Sequence, residues 1–267
     1  MRYLISILAT ALMIASPVMA KEPSEKAEAA NVKSMELGQQ LYLHDQAAWH
    51  GTDALAETVD MSAQNDLRGY VVEPLDNGNL GLVFFAEDQE GHHEFARYEV
   101  AGSKVIGGGV HDAETRVALS PMLESIVAAR TAAIEEFKKQ EWGFCTRSSA
   151  NFIGLPPDED GVIKIYLLTS TTEENSYPFG GHYRFDVTPD GKVKSSRKFT
   201  NSCLTMGLED GPEGQKPYAL GVSHVLDKHP TEIHYFQSYY IPARVFVIID
   251  GDAWVLNKGK YEKIEEM

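Results

Sequence analysis

The chain is short of positive charge, of cysteine and of long apolar runs, and each shortage excludes a class of protein. Lys and Arg number 24 against 39 Asp and Glu, for a formal net charge of -15. A body this acidic carries no electrostatic footprint for nucleic acid or for anionic lipid heads. Only two cysteines occur, Cys145 and Cys203, and neither sits in a C-x-x-C pair, which argues against a reactive redox thiol. No segment approaches the roughly 20 apolar residues of a spanning helix, so no stable membrane anchor is expected. Catalytic signatures are missing as well. There is no G-x-S-x-G elbow and no H-E-x-x-H pair, and Gly107-Gly108-Gly109, lacking the spaced glycines and the lysine of a phosphate cradle, is expected to be a loop.

What is present begins with an export signal. Arg2 supplies a charged start, residues 4–15 form a short apolar run, Pro17 breaks it, and Val18-Met19-Ala20 puts small residues where a signal peptidase reads. Residues 1–20 are expected to be a secretory signal peptide cleaved after Ala20, which places the protein in the periplasm or outside the cell. In such an oxidising compartment Cys145 and Cys203 are expected to pair. Closing that loop stabilises a fold by about 4 kcal/mol in the chain-entropy account.

Residues 21–32 are charged and alanine-rich without a sustained apolar face, and so predict a mobile linker. The body is expected over 33–267 as one α+β unit, with sub-lobes at 33–143 and 144–267. Leu37, Leu41 and Ala48 share a helical face, with a break near Gly51-Thr52-Asp53 and a second short helix over 53–65. Strands are expected over 70–72, 80–85, 95–100 and 104–106, the first pair turned by Asp76-Asn77-Gly78-Asn79. Ser120-Pro121 is an N-cap followed by a first-turn proline. Met122, Ile126, Ala129, Ala133 and Phe137 then repeat as the buried stripe of a long amphipathic helix. Thereafter the pattern is mostly strand, over 162–169, 182–187, 192–199, 218–225, 231–239, 244–249 and 253–256, with a polar glycine-proline loop over 209–216. Antiparallel sheet packed on the long helix is the natural solution.

The densest chemistry lies at Lys228-His229-Pro230-Thr231-Glu232-Ile233-His234. As a strand, 231–239 puts Glu232 and His234 on one face. With His229 before that strand and His182 on another, these four form a candidate zinc-type ligand set. His182, Arg184, Glu232 and His234 are the candidates to face a ligand across a polar groove, and Arg184 and Asp186 share a strand face with His182. The aromatic residues Tyr177, Phe179, Tyr183, Phe185, Tyr235, Phe236, Tyr239 and Tyr240 gather in the same regions. A groove rimmed by tyrosines suits a small ligand or peptide.

Two resemblances bear on this. The His229-Pro230 stretch is similar to the JAMM metalloprotease motif, His-x-His-Pro followed by a serine and an aspartate. Here, however, Asp227 replaces the first histidine, Ser238 is one residue too far, and Ile241 replaces the aspartate. Separately, Leu41-Tyr42-Leu43-His44-Asp45-Gln46-Ala47-Ala48-Trp49, Phe179-Gly180-Gly181-His182-Tyr183-Arg184 and Pro230-Thr231-Glu232-Ile233-His234 resemble stretches of exported proteobacterial proteins with no assigned activity. That resemblance implies a periplasmic setting and transfers no catalytic residue. The sequence therefore predicts a secreted binding or interaction protein without a cofactor, whose partner is a small molecule or an envelope protein. The alternative is a metal-dependent hydrolase built on the His/Glu cluster at 229–234.

Overall fold

Residues 25–112, 114, 117–147, 150–170, 173–208 and 218–264 are described by a computed structural model. The architecture is α+β, with an N-terminal helix and antiparallel-rich sheets. Helix α1 spans Glu25–Ala56, α2 Pro121–Lys139 and α3 Glu232–Tyr240. The first sheet is an antiparallel meander of β1 (Leu67–Pro74), β2 (Leu80–Asp88), β3 (Gly91–Ala101) and β4 (Lys104–Val110). Its first turn forms where expected. Gly78 takes a φ of 83°, and its N–H donates to the Leu75 carbonyl at 2.9 Å.

The second sheet orders β5 (Asn151–Gly154), β6 (Ile163–Leu168), β8 (Tyr183–Val187) and β9 (Val193–Lys198). Between β6 and β8, the short strand β7 (Ser176–Pro178) pairs instead with β10 (Thr205–Gly207). The last sheet carries β11 (Ala219–Ser223), β12 (Arg244–Ile249), β13 (Asp252–Asn257) and β14 (Lys260–Ile264). Here β11 and β12 run parallel, and a parallel pair needs a crossover that a tight turn cannot supply. Helix α3 is that crossover.

Helix α2 starts as its sequence dictates, with the Ser120 hydroxyl accepting from Leu123 N–H at 3.3 Å and Pro121 at the first position. Its buried stripe Leu123, Ile126, Val127, Ala129 and Ala133 packs against two sheets at once. Val71, Val83 and Phe85 come from the first sheet, and Ile163, Ile165, Tyr183, Phe185 and Val187 from the second. A single core thus joins residues on either side of position 143. The opposite face of the first sheet packs under the C-terminal half of α1. The opposite face of the second packs on Leu41 of α1 and Ile233 and Phe236 of α3. Strand β6 is buried at every position, so it lacks the alternation of a half-exposed strand.

Helices α1 and α3 meet at Gly38. A Cβ there would stand 2.4 Å from the Tyr235 Cβ and 2.8 Å from the Glu232 carbonyl oxygen. Their contact also stacks Tyr42 on Tyr239, with ring centroids 4.5 Å apart. Cys145 and Cys203 form a disulfide with a Cα–Cα distance of 5.2 Å across 58 residues of sequence.

Four expectations are corrected. Residues 25–32 are not a linker but the first turns of α1. Their polar groups are used: Asn31 is fully buried and accepts from Tyr235 Oη at 2.8 Å, and Glu28 accepts from the Tyr261 hydroxyl. Gly51 does not break α1, which continues to Ala56 because the missing Cβ lets Leu82 pack within 2.2 Å of where it would be. The triglycine at 107–109 continues β4 rather than forming a loop. The strand expected over 231–239 is helix α3. Its aromatic content favours strand as a local propensity, but α3 is wedged between α1 and two sheets, and residues 231–238 are all buried. Burial on every side hides the helical period. The polar loop expected near 209–216 lies outside the described residues.

Candidate functional site

The four residues considered as metal ligands do not form a ligand set. His182 is fully buried, and its Nε2–H donates to the Pro178 carbonyl at 2.8 Å. Burial lowers its pKa from 6.5 to about 4, against the upward pull of that carbonyl. His234 is the third residue of α3, 3% exposed, and its Nδ1 accepts the Thr231 backbone N–H at 3.0 Å. The ring therefore caps the helix start in the manner of a capping-box Glu or Gln. Burial, then the neighbouring His224, holds its pKa down at about 3. His229 is half-buried and donates from Nδ1 to its neighbour's carbonyl at 3.0 Å. Among the described residues no group of three or more His, Cys, Asp or Glu is placed to hold a metal ion.

Glu232 is occupied too. It is 2% exposed, and its Oε1 accepts from Arg184 Nη1 at 2.6 Å and from Tyr166 Oη at 3.1 Å. The expected neighbourhood of Arg184 and Asp186 is real, with Nε and Oδ1 3.1 Å apart but too poorly aligned for a hydrogen bond. Beside them a network missed at the sequence level joins β9 to the segment before α3. Asp227 Oδ2 accepts from Arg197 Nη2 at 2.9 Å and from His224 Nε2 at 2.8 Å. Burial alone would raise the Asp227 carboxyl, but these two partners outweigh it and hold it near 2. His224 also meets His234 edge-on at 4.7 Å. The only sequence signal for this network was an Asp three residues after a His.

A groove of about 560 Å³ opens over these groups. Arg184 pairs there with Glu232, Arg197 with Asp227 and Lys164 with Asp158, while Lys33 and Lys194 also line it. The first two pairs tie the second sheet to α3 and to the segment before it. His182 and His234 lie beneath it rather than facing it. Of the ligand-facing candidates, Arg184, at 20% side-chain exposure, and the nearly buried Glu232 line it.

A second concavity differs in kind. On α1 the spacing of Asp45, Ala48, Trp49, Thr52 and Asp53 places them on one helical face, and all five line a cleft of about 660 Å³. Phe236, Gln237 and Tyr240 of α3 form a second wall, and Tyr177 and Pro178 of β7 a third. The wall at β7 is well anchored. Gln237 Nε2 donates to the Pro178 carbonyl at 2.6 Å. Nearby, the Thr169 hydroxyl donates to Gly181 O at 2.7 Å and accepts from the N–H of disulfide-bonded Cys145 at 3.3 Å.

At the base of the cleft Asp45 Oδ2 accepts from Tyr240 Oη at 2.5 Å and Oδ1 from Asn151 Nδ2 at 3.1 Å, while Gln46 Nε2 supports the Tyr240 oxygen at 3.0 Å. Burial raises the Asp45 carboxyl pKa, and the two hydrogen bonds only partly offset this. At the rim Trp49 is 54% exposed, its indole stacked on His50 at 5.0 Å. Of the aromatic residues singled out in the sequence, Tyr177, Phe236 and Tyr240 reach this cleft, while Phe185 and Tyr235 are fully buried in the core. Trp49 and Asp45 had been visible only as part of a helix.

In comparisons with known proteins, no family model, curated protein or solved structure matches the chain.

Proposed function

We propose that this chain is an exported binding protein that holds a small molecule in the cleft between α1, α3 and β7. The observation that carries the reading is the cleft itself. Its volume, about 660 Å³, lies in the range of small-ligand sites, and aromatic side chains line it beside a few oriented polar groups. Leaving an indole more than half exposed forgoes part of the hydrophobic gain of burial, and a bound ligand recovers some of it. The leader at residues 1–20 and the Cys145–Cys203 disulfide support a setting outside the cytoplasm. Among the described residues no helix is long and apolar enough to cross a membrane.

The test is a thermal-shift screen of chemically diverse small molecules against the mature chain and its Trp49→Ala variant. Stabilising compounds whose effect disappears in Trp49→Ala are the expected result. Hits indifferent to Trp49, or a turnover that vanishes in Glu232→Gln while the fold survives, would overturn the reading.

A further inference from the structure

We propose that the cleft selects an organic cation, an ammonium group carried on an apolar body. This rests on the binding reading above and adds the ligand's charge. The π faces at the cleft come from Trp49, Tyr70, Tyr177, Phe236 and Tyr240. Such faces attract a cation through the ring quadrupole, and Trp does so best. Of the carboxylates at the cleft, which include Glu173, Asp45 and Asp53 stand eight residues apart on α1, about 12 Å along the axis, one deep and one at the rim. No Lys, Arg or His is among the described residues that line the cleft.

The neighbouring groove differs in how its carboxylates are partnered. There every named carboxylate has an Arg or Lys partner within 3.1 Å. Among the described residues neither Asp45 nor Asp53 is in an ion pair, and Asp45 is held by two neutral donors, Tyr240 and Asn151. A partly buried carboxylate without a counter-charge is costly in low dielectric. A bound ammonium supplies that counter-charge, while an anion of equal size meets repulsion from both aspartates. The five rings bury its apolar body. Quaternary and primary ammonium groups share this chemistry, and the number of N–H donors separates them.

The experiment compares benzyltrimethylammonium with phenylacetate, probes of similar size and opposite charge, by calorimetry and tryptophan fluorescence on the mature disulfide-bonded chain. The cation should bind saturably and at least tenfold more tightly than the anion. Trp49→Ala should abolish binding, and Asp53→Asn should weaken it several-fold. Because Asp45→Asn disturbs the Tyr240 contact and risks the fold, exposed Asp53 carries the charge test, with circular dichroism confirming that the variant folds. Equal or tighter phenylacetate binding that is lost in Trp49→Ala overturns the cation assignment and leaves the cleft reading standing. Cation binding indifferent to both Asp53→Asn and Trp49→Ala overturns the assignment as well. So does saturable binding of neither probe, in which case the compound screen decides separately whether the cleft binds anything.

Discussion

Arg184 of β8 donates from Nη1 to Glu232 Oε1 at 2.6 Å, tying the second sheet to the first turn of α3. Both groups are largely withdrawn from water, at 20% and 3% side-chain exposure. Removing one partner therefore leaves a charge with a full desolvation cost. Arg184→Met is expected to destabilise the protein by about 3–5 kcal/mol. The double variant Arg184→Met with Glu232→Leu should be less destabilised than Arg184→Met alone, because no orphan charge remains. Urea unfolding of the two decides it: equal losses would show that the pair is not the source.

Gly38 is expected to be intolerant of any side chain. A methyl group there collides with Tyr235 and with the backbone of α3, while the helix itself would favour alanine. Overpacking typically costs about 1–3 kcal/mol, more than the propensity gain. Gly38→Ala should lower the unfolding midpoint, and a rise would mean that α1 and α3 are free to move apart.

The disulfide should be worth several kcal/mol. Reducing the pair at Cys145 and Cys203, or replacing both by Ser, is expected to lower stability by up to about 4 kcal/mol. Unfolding curves with and without reductant measure it. Two free thiols in protein from an oxidising compartment would refute the pairing.

Three buried histidines set an acid limit. His44, His182 and His234 have pKa values lowered from 6.5 to about 4, 4 and 3, each chiefly by burial. Between pH 6.5 and about 4 the unfolded chain binds protons that the folded chain refuses. Stability therefore falls as pH drops through this window, by at most about 1.4 kcal/mol per pH unit for each group. Asp227, held near 2 against an ordinary 3.8, adds a further loss only below about pH 4. Urea midpoints at pH 7.5 and pH 5.0 check the first effect, and a flat or rising profile on acidification would contradict it.

Much of the architecture was legible because its signals are local. Ser120-Pro121 and the stripe after it mark α2, the Asn77-Gly78 turn marks the first hairpin, and Tyr183, Phe185 and Val187 face the core of α2 as their alternation requires. Where signals are not local, the reading failed. Residues 25–32 carry no apolar face because their partners are polar groups on α3 and the last sheet. Residues 231–239 carry no helical period because positions 231–238 are all buried, whichever way they face. A proline on each flank, Pro230 and Pro242, and Thr231 ahead of Glu232 were the available helix signals. Aromatic strand propensity masked them.

The sequence by itself determined the class of the protein: acidic, α+β, with a single pair of cysteines. It also determined which residue types lie near 229–234. Only the tertiary structure decided what those residues do. Glu232, His182 and His234 turned inward because a buried guanidinium, a buried strand carbonyl and a buried helix end need partners. The tertiary structure also brought Trp49 and Asp45 of α1 to Tyr240 and Phe236 of α3, nearly two hundred residues away. A cleft is a property of surfaces left over after packing, and no single stretch of chain encodes it.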